Sequence, residues 1–207
     1  MQADIIVGNK QMATVKGIHQ LTVCDIVTDE AKRIQEAIEV IHMKRQKLME
    51  FGSATAERLH ALWLEYNVLI KQLYKFRALN WYIENITTTV CRSVLAARLS
   101  GTTTYTGIVN YGALGTSATA AAIGNTTLGT ETYRKALVSG TFSSNIAYLE
   151  NFYTTSEVNG TFEEYGFFID GTGSANTGQL FNRFTQTIAK SATQSLNVRS
   201  TITIADA

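Results

Sequence analysis

Between Leu59 and Ile83 the residues Leu59, Leu62, Tyr66, Leu69, Leu73, Phe76, Asn80 and Ile83 are spaced 3-4-3-4-3-4-3. This is heptad spacing, with Leu59, Tyr66, Leu73 and Asn80 at a and Leu62, Leu69, Phe76 and Ile83 at d. It predicts one amphipathic helix from Thr55 to Val90, a rod of roughly 50 Å at 1.5 Å per residue. Trp63, Ile70, Tyr74, Leu79 and Trp81 add apolar area beside the seam. A helix apolar over so wide a face wants several neighbours, from a bundle or from sister subunits. The eight seam residues are therefore the expected oligomerisation surface, of a homotrimer or a higher assembly. Asn80 either fixes register and oligomer number or marks the end of the seam and faces water.

The chain before this rod divides in two. Residues 1–27 read as extended: Asp4-Ile5-Ile6-Val7 is closed by the turn signal Gly8-Asn9, and Val15, Gly17, His19, Leu21 and Val23 then share one parity. His19 has no ligand-type residue at metal spacing and reads as structural. Thr28, followed by Asp29 and Glu30, is placed to cap a helix reaching about Phe51. Its own 4-3-4-3 row is Ile34, Ile38, Ile41, Arg45 and Leu48, where Arg45 must snorkel or meet a carboxylate. Gly52-Ser53 stops it and Ser53 or Thr55 caps the rod, so the two helices should form an antiparallel hairpin. A last helical stretch, Val90–Leu99, ends at Gly101.

After Gly101 the apolar period changes to two. Strands are predicted over Tyr105–Leu114, Glu131–Phe142, Ile146–Thr155, Thr161–Ile169, Gln179–Ala189 and Leu196–Ile204, with turn chemistry at Ser144-Asn145, Asn159-Gly160 and Asp170-Gly171. The expected class is α+β: a short N-terminal β segment (1–27), a heptad hairpin or coiled-coil stalk (28–101) and an antiparallel β-sandwich (102–207). Charge supports the division, because residues 1–101 carry a net +3 and residues 102–207 a net −2. Neither half has the basic excess that nucleic acid asks for. With no proline in the chain, glycine must punctuate it.

Residues for chemistry are scattered. Three His and two Cys include no C-x-x-C or H-E-x-x-H pair, so neither metal nor cofactor is expected. Gly171-Thr172-Gly173-Ser174-Ala175-Asn176 fails the dinucleotide pattern at Asn176 and leads into a strand. Glu163 and Glu164 are adjacent and on a strand would face opposite ways, unlike a glycosidase pair. Cys24 and Cys91 read as buried thiols. Neither a secretory leader nor a run of membrane-spanning length is visible, so synthesis in a bacterial cytoplasm without membrane insertion is expected. The chain reads as a non-enzyme.

Several short motifs look familiar in their order. Thr103-Thr104-Tyr105-Thr106-Gly107, Tyr111-Gly112-Ala113-Leu114-Gly115-Thr116, Thr127-Leu128-Gly129-Thr130-Glu131 and Tyr133-Arg134-Lys135 are followed by Asn159 to Phe168 and by Gly178 to Arg183. This run, over roughly residues 92–206, resembles a recurrent domain of bacteriophage tail and fibre proteins. That family usually has a proline after the Leu-Gly-Thr motif, where this chain has Ala120-Ala121-Ala122. The resemblance implies a virion structural protein of tail, collar or fibre, with other tail, neck or baseplate proteins as partners and a host receptor or glycan as a further one. A capsid-mounted head fibre or decoration protein and a non-viral lectin-like module are the alternatives. The loops 116–130 and 170–178 lack lysine and arginine, and Thr116, Ser117, Thr119, Asn125, Thr126, Asp170, Thr172, Ser174 and Asn176 are the expected partner contacts.

Overall fold

The computed structural model describes residues 13–206. The Asp4–Val7 run and its Gly8-Asn9 turn lie outside them. The chain runs β1 (Ala13–Asp25), α1 (Asp29–Glu50), α2 (Ala56–Leu73), a single 3-10 turn (Tyr74–Phe76), β2 (Arg77–Glu84), β3 (Ile86–Thr87) and α3 (Thr89–Leu99). It continues with β4 (Val109–Gly115), β5 (Glu131–Ala136), β6 (Ser139–Ser143), β7 (Ile146–Tyr153), β8 (Gly160–Ile169), β9 (Gln179–Lys190) and β10 (Gln194–Asp206). The strands make two five-stranded antiparallel sheets, in the orders β2-β1-β10-β7-β6 and β3-β9-β8-β4-β5. The protein is thus α+β.

The two sheets share an apolar core. Leu21, Val23, Leu149, Tyr153, Leu196 and Val198 of the first meet Leu114, Tyr165, Phe167, Phe181, Phe184 and Ile188 of the second. Their parity explains the arrangement, since Leu196, Val198, Ser200 and Ile202 are all buried on one side of β10. Gly112 on β4 has no room for a side chain, because a Cβ there would stand 2.0 Å from the Tyr165 hydroxyl of the neighbouring β8 and 2.4 Å from the Asn151 side-chain oxygen of the facing sheet. Leu137 and Val138, between β5 and β6, carry the chain from one sheet to the other. Leu137 enters the inter-sheet core and Val138 the core beneath the helices.

Thr28 caps α1 by accepting from the Ala31 N–H at 3.1 Å, and Thr55 caps α2 by accepting from Arg58. The hairpin forms as the sequence suggests, with Lys44 facing Glu65 at 3.4 Å across it. It lies against the first sheet: Ile34, Ile38, Ile41, Leu62, Tyr66, Ile70 and Leu73 bury against Cys24, Ile26 and Phe152. Cys91 and Val94 of α3 help to fill the inter-sheet core.

The long rod does not form. α2 stops at Leu73, and Arg77–Glu84 is a strand whose Leu79, Trp81 and Ile83 register against Val23, Leu21 and His19 of β1. Both periods were present there, because Ile83 belongs equally to the heptad row and to the alternation Leu79-Trp81-Ile83. Trp81, Tyr82 and Ile83 favour the extended form, and the edge of β1 supplies a ladder that an isolated helix cannot match. The divisions at 27 and 101 do not follow the sheets either. β1 lies between β2 and β10, and β3 pairs with β9, so strands from before residue 101 complete both sheets.

Candidate interaction surface

The seam residues turn inward within one chain. Leu62, Tyr66 and Leu73 are buried beneath the hairpin, and Leu69 and Phe76 pack partly against the same core. Ile83 packs on the inter-sheet core, Asn80 accepts from Thr22 at 2.7 Å, and Leu59 lines a cleft described below. Within this chain their periodicity records intramolecular packing rather than a coiled-coil stalk. Asn80 neither sets a coiled-coil register nor simply faces water.

Both loops lie over the outer face of the second sheet, and each is fastened by a buried ion pair. Glu164 on β8 and Arg183 on β9 meet at 2.7 Å with almost no exposure. The carboxylate also accepts from the Gly129 and Thr130 N–H groups at 2.8 and 2.7 Å, and from Ser117 N–H at 3.3 Å. The guanidinium donates to the Thr119 and Ala120 carbonyls at 2.8 and 3.2 Å and to Asn125 at 3.1 Å. Apart from the contact between the two side chains, every hydrogen bond named here serves the loop 116–130, which explains why so polar a pair is tolerated out of water.

The second pair, Glu131 and Arg134 on β5, fastens the loop 170–178. Arg134 donates to the Thr172 and Thr177 carbonyls at 3.1 and 3.0 Å, and its guanidinium lies 4.5 Å from the centre of the Phe168 ring. Glu131 accepts from Asn176 N–H at 3.1 Å, and Asp170 accepts from Thr106 N–H at 2.8 Å. Among the expected contacts Thr116, Thr119, Thr126, Thr172, Ser174 and Asn176 are exposed, whereas Ser117, Asn125 and Asp170 are half-buried. Packing holds the loop 116–130 as well. Leu128 is buried with Phe168, Ala113 and Leu180, so one loop contributes its own small core.

Sequence reasoning missed these pins because Glu131, Arg134, Glu164 and Arg183 read as ordinary alternating strand residues. It also missed an apolar cleft of about 610 Å³ where the hairpin tip meets the ends of both sheets. Met49 and Leu59 approach from the hairpin, Val15, Leu95 and Phe181 from the inter-sheet side, and the exposed Phe142 stands at its rim.

Other polar groups are absorbed by packing. His19 is buried between Phe167 and Phe184, and burial draws its pKa down to about 3. Burial pushes both Cys24 and Cys91 up to about 12, leaving them as unpaired thiols. Glu163, at a break in the β8–β9 register, accepts from Thr187 at 2.7 Å. Among the described residues no group of three His, Cys, Asp or Glu is placed to hold a metal ion, and no helix is long and apolar enough to cross a membrane.

The fold defines an α+β protein with two stacked antiparallel sheets and a helical hairpin laid on one of them. Comparison with protein-family models, with curated proteins and with solved structures finds no match.

Proposed function

We propose that this chain is a structural component of a bacteriophage virion, of the tail, collar or fibre, that acts by assembling rather than by catalysis. The observation that carries the reading is the use made of the phage-like motif residues. Leu128-Gly129-Thr130-Glu131, Arg134, Glu164 and Arg183 are the residues that fix the two loops on the outer sheet face. Gly112 leaves room for the side chains of Tyr165 and Asn151 that crowd against it. Motif residues spent on holding a scaffold support a resemblance of scaffold, and with it a role in architecture.

In this reading the β-sandwich presents its two fastened loops to a neighbouring virion protein or to a host receptor. Oligomerisation runs through surfaces other than the heptad seam. The test is to tag the protein in an infecting phage and fractionate purified particles into tails and heads. Recovery with tails supports the reading. Recovery with heads moves the protein to a capsid-mounted role, and absence from particles overturns it. Sedimentation of the purified chain tests assembly, and a monomer at micromolar concentration would exclude self-association as its mode of action.

A further inference from the structure

The apolar cleft carries a charge that nothing in its surroundings answers. Arg45 is 5 % exposed and forms one wall. Its Nη1 donates to the Leu137 carbonyl at 2.9 Å, at the corner where the chain passes between sheets, but its Nε has no partner. Among the described residues no carboxylate stands within ion-pair distance of it. Glu50 borders a smaller cavity that Arg45 also lines, yet does not pair with it. Burial alone draws the Arg45 pKa down, to about 10, which leaves the side chain charged at neutral pH. The sequence offered two roles for Arg45, snorkelling or meeting a carboxylate, and the chain provides neither.

An isolated cation out of water is costly unless something pairs with it. The remaining lining is apolar apart from backbone and Thr141, and the volume falls in the range of small-molecule sites. A ligand that fits must bring a long apolar part for Met49, Leu59, Leu95 and Phe181 and one negative charge for the guanidinium. With Nη1 already on the Leu137 carbonyl, the one guanidinium matches a singly charged, planar head better than a phosphate dianion.

We propose that this cleft binds an amphiphilic carboxylate, a fatty acid in chemical class, with its tail among the apolar residues and its head on Arg45. This site stands apart from the loops and does not depend on a virion role. Each further methylene buried tightens binding about fourfold until the cleft is full.

The experiment is calorimetric titration of the full chain, below micelle-forming concentrations, with dodecanoate, dodecanol and dodecyltrimethylammonium. Dodecanoate should bind at least tenfold more tightly than dodecanol, and the cationic amphiphile should bind weakest. Arg45→Met should remove the preference for carboxylate over alcohol. Ala54→Trp, at the rim between the helices and outside every element, should block all three without changing the melt, so the test survives if Arg45→Met fails to fold. Equal binding of dodecanoate and dodecanol by the parent overturns the proposal, as does dodecanoate binding that Ala54→Trp leaves unchanged. A parent that binds none of the three also overturns it, and leaves the cleft to a segment of protein.

Discussion

Tyr66, in the middle of α2, donates its hydroxyl hydrogen to the side-chain oxygen of Asn197 on β10, 131 residues further along the chain. Both are fully buried, and Asn197 in turn donates to the Tyr74 hydroxyl at 3.1 Å. Beside them Arg199 bridges Glu150 at 2.8 Å and Asn67. Burial raises the pKa of the Glu150 carboxyl, and Arg199 opposes that rise. A helix meant to stand free as a stalk would have no use for such a network. It ties the hairpin to the sheet in one register, because polar groups buried there must meet their partners.

Tyr66→Phe should therefore destabilise the protein by about 1–3 kcal/mol, leaving the Asn197 oxygen buried without its donor. Urea denaturation measures this as a lower midpoint at unchanged slope. A change below about 0.5 kcal/mol, the range of an ordinary surface substitution, would mean that the hydroxyl is dispensable to the docking.

The Glu164–Arg183 pair makes an opposite prediction from the one a free loop would make. Replacing the loop residues 117–129 by a Gly-Ser linker should lower the melting temperature, because it removes the N–H and carbonyl partners of a buried ion pair. Arg183→Met alone should cost about 3–5 kcal/mol, the usual result of stranding one buried charge. The double variant Glu164→Gln, Arg183→Met should lose less than the sum of the singles. Additive losses would show that the two charges do not depend on each other.

Strand and helix positions were legible wherever local and tertiary forces agreed. Thr28 and Thr55 act as caps, the row Ile34-Ile38-Ile41-Arg45 is the buried face of α1, and β7 to β10 lie within a few residues of their apolar alternations. Legibility failed where one stretch satisfied two periods. Residues 77–84 obey a heptad and an alternation at once, and only the neighbouring edge of β1 decides between them. It failed again for Glu164, Arg183, Glu131 and Arg134, whose pairing across strands depends on register and on loops folding back over the sheet. The apolar cleft had no local signal at all: it is lined from α1, α2, α3 and six strands, and arises only from how they pack together.

Acid should weaken the fold through its buried histidines. Burial lowers His19 to about 3 and, with nearby Lys135 and Arg45, lowers His42 to about 4, from 6.5 in the unfolded chain. Between pH 6.5 and 4 the unfolded state takes up these protons first, so each histidine removes about 1.4 kcal/mol of stability per pH unit of acidification. The raised carboxyl of Glu150 acts in the opposite sense, so the informative quantity is a difference between variants. Urea midpoints at pH 6.5, 5.5 and 4.5 should fall more steeply for the parent than for His19→Leu, by about one proton. Parallel slopes would mean that the His19 ring is protonated in place.

The sheet order gives the last prediction, on whether residues 102–207 fold alone. Composition suggests that they do, since the change of charge and period at Gly101 looks like a domain boundary. Yet β1 lies inside the first sheet with ladders on both sides, to β2 and to β10. Leu21, Val23, Cys91 and Val94, all from before residue 101, are at most 1 % exposed within the inter-sheet core. Losing four such side chains forfeits about 6–12 kcal/mol at about 1.5–3 each, comparable with the whole stability of a domain. The fragment 102–207 should therefore show no cooperative thermal transition by circular dichroism. A full chain cut by a protease site placed in the exposed stretch 101–104 should instead keep both pieces together and melt as one unit. A cooperative melt of the isolated fragment would show that the second half carries its own core and that β1 merely joins it.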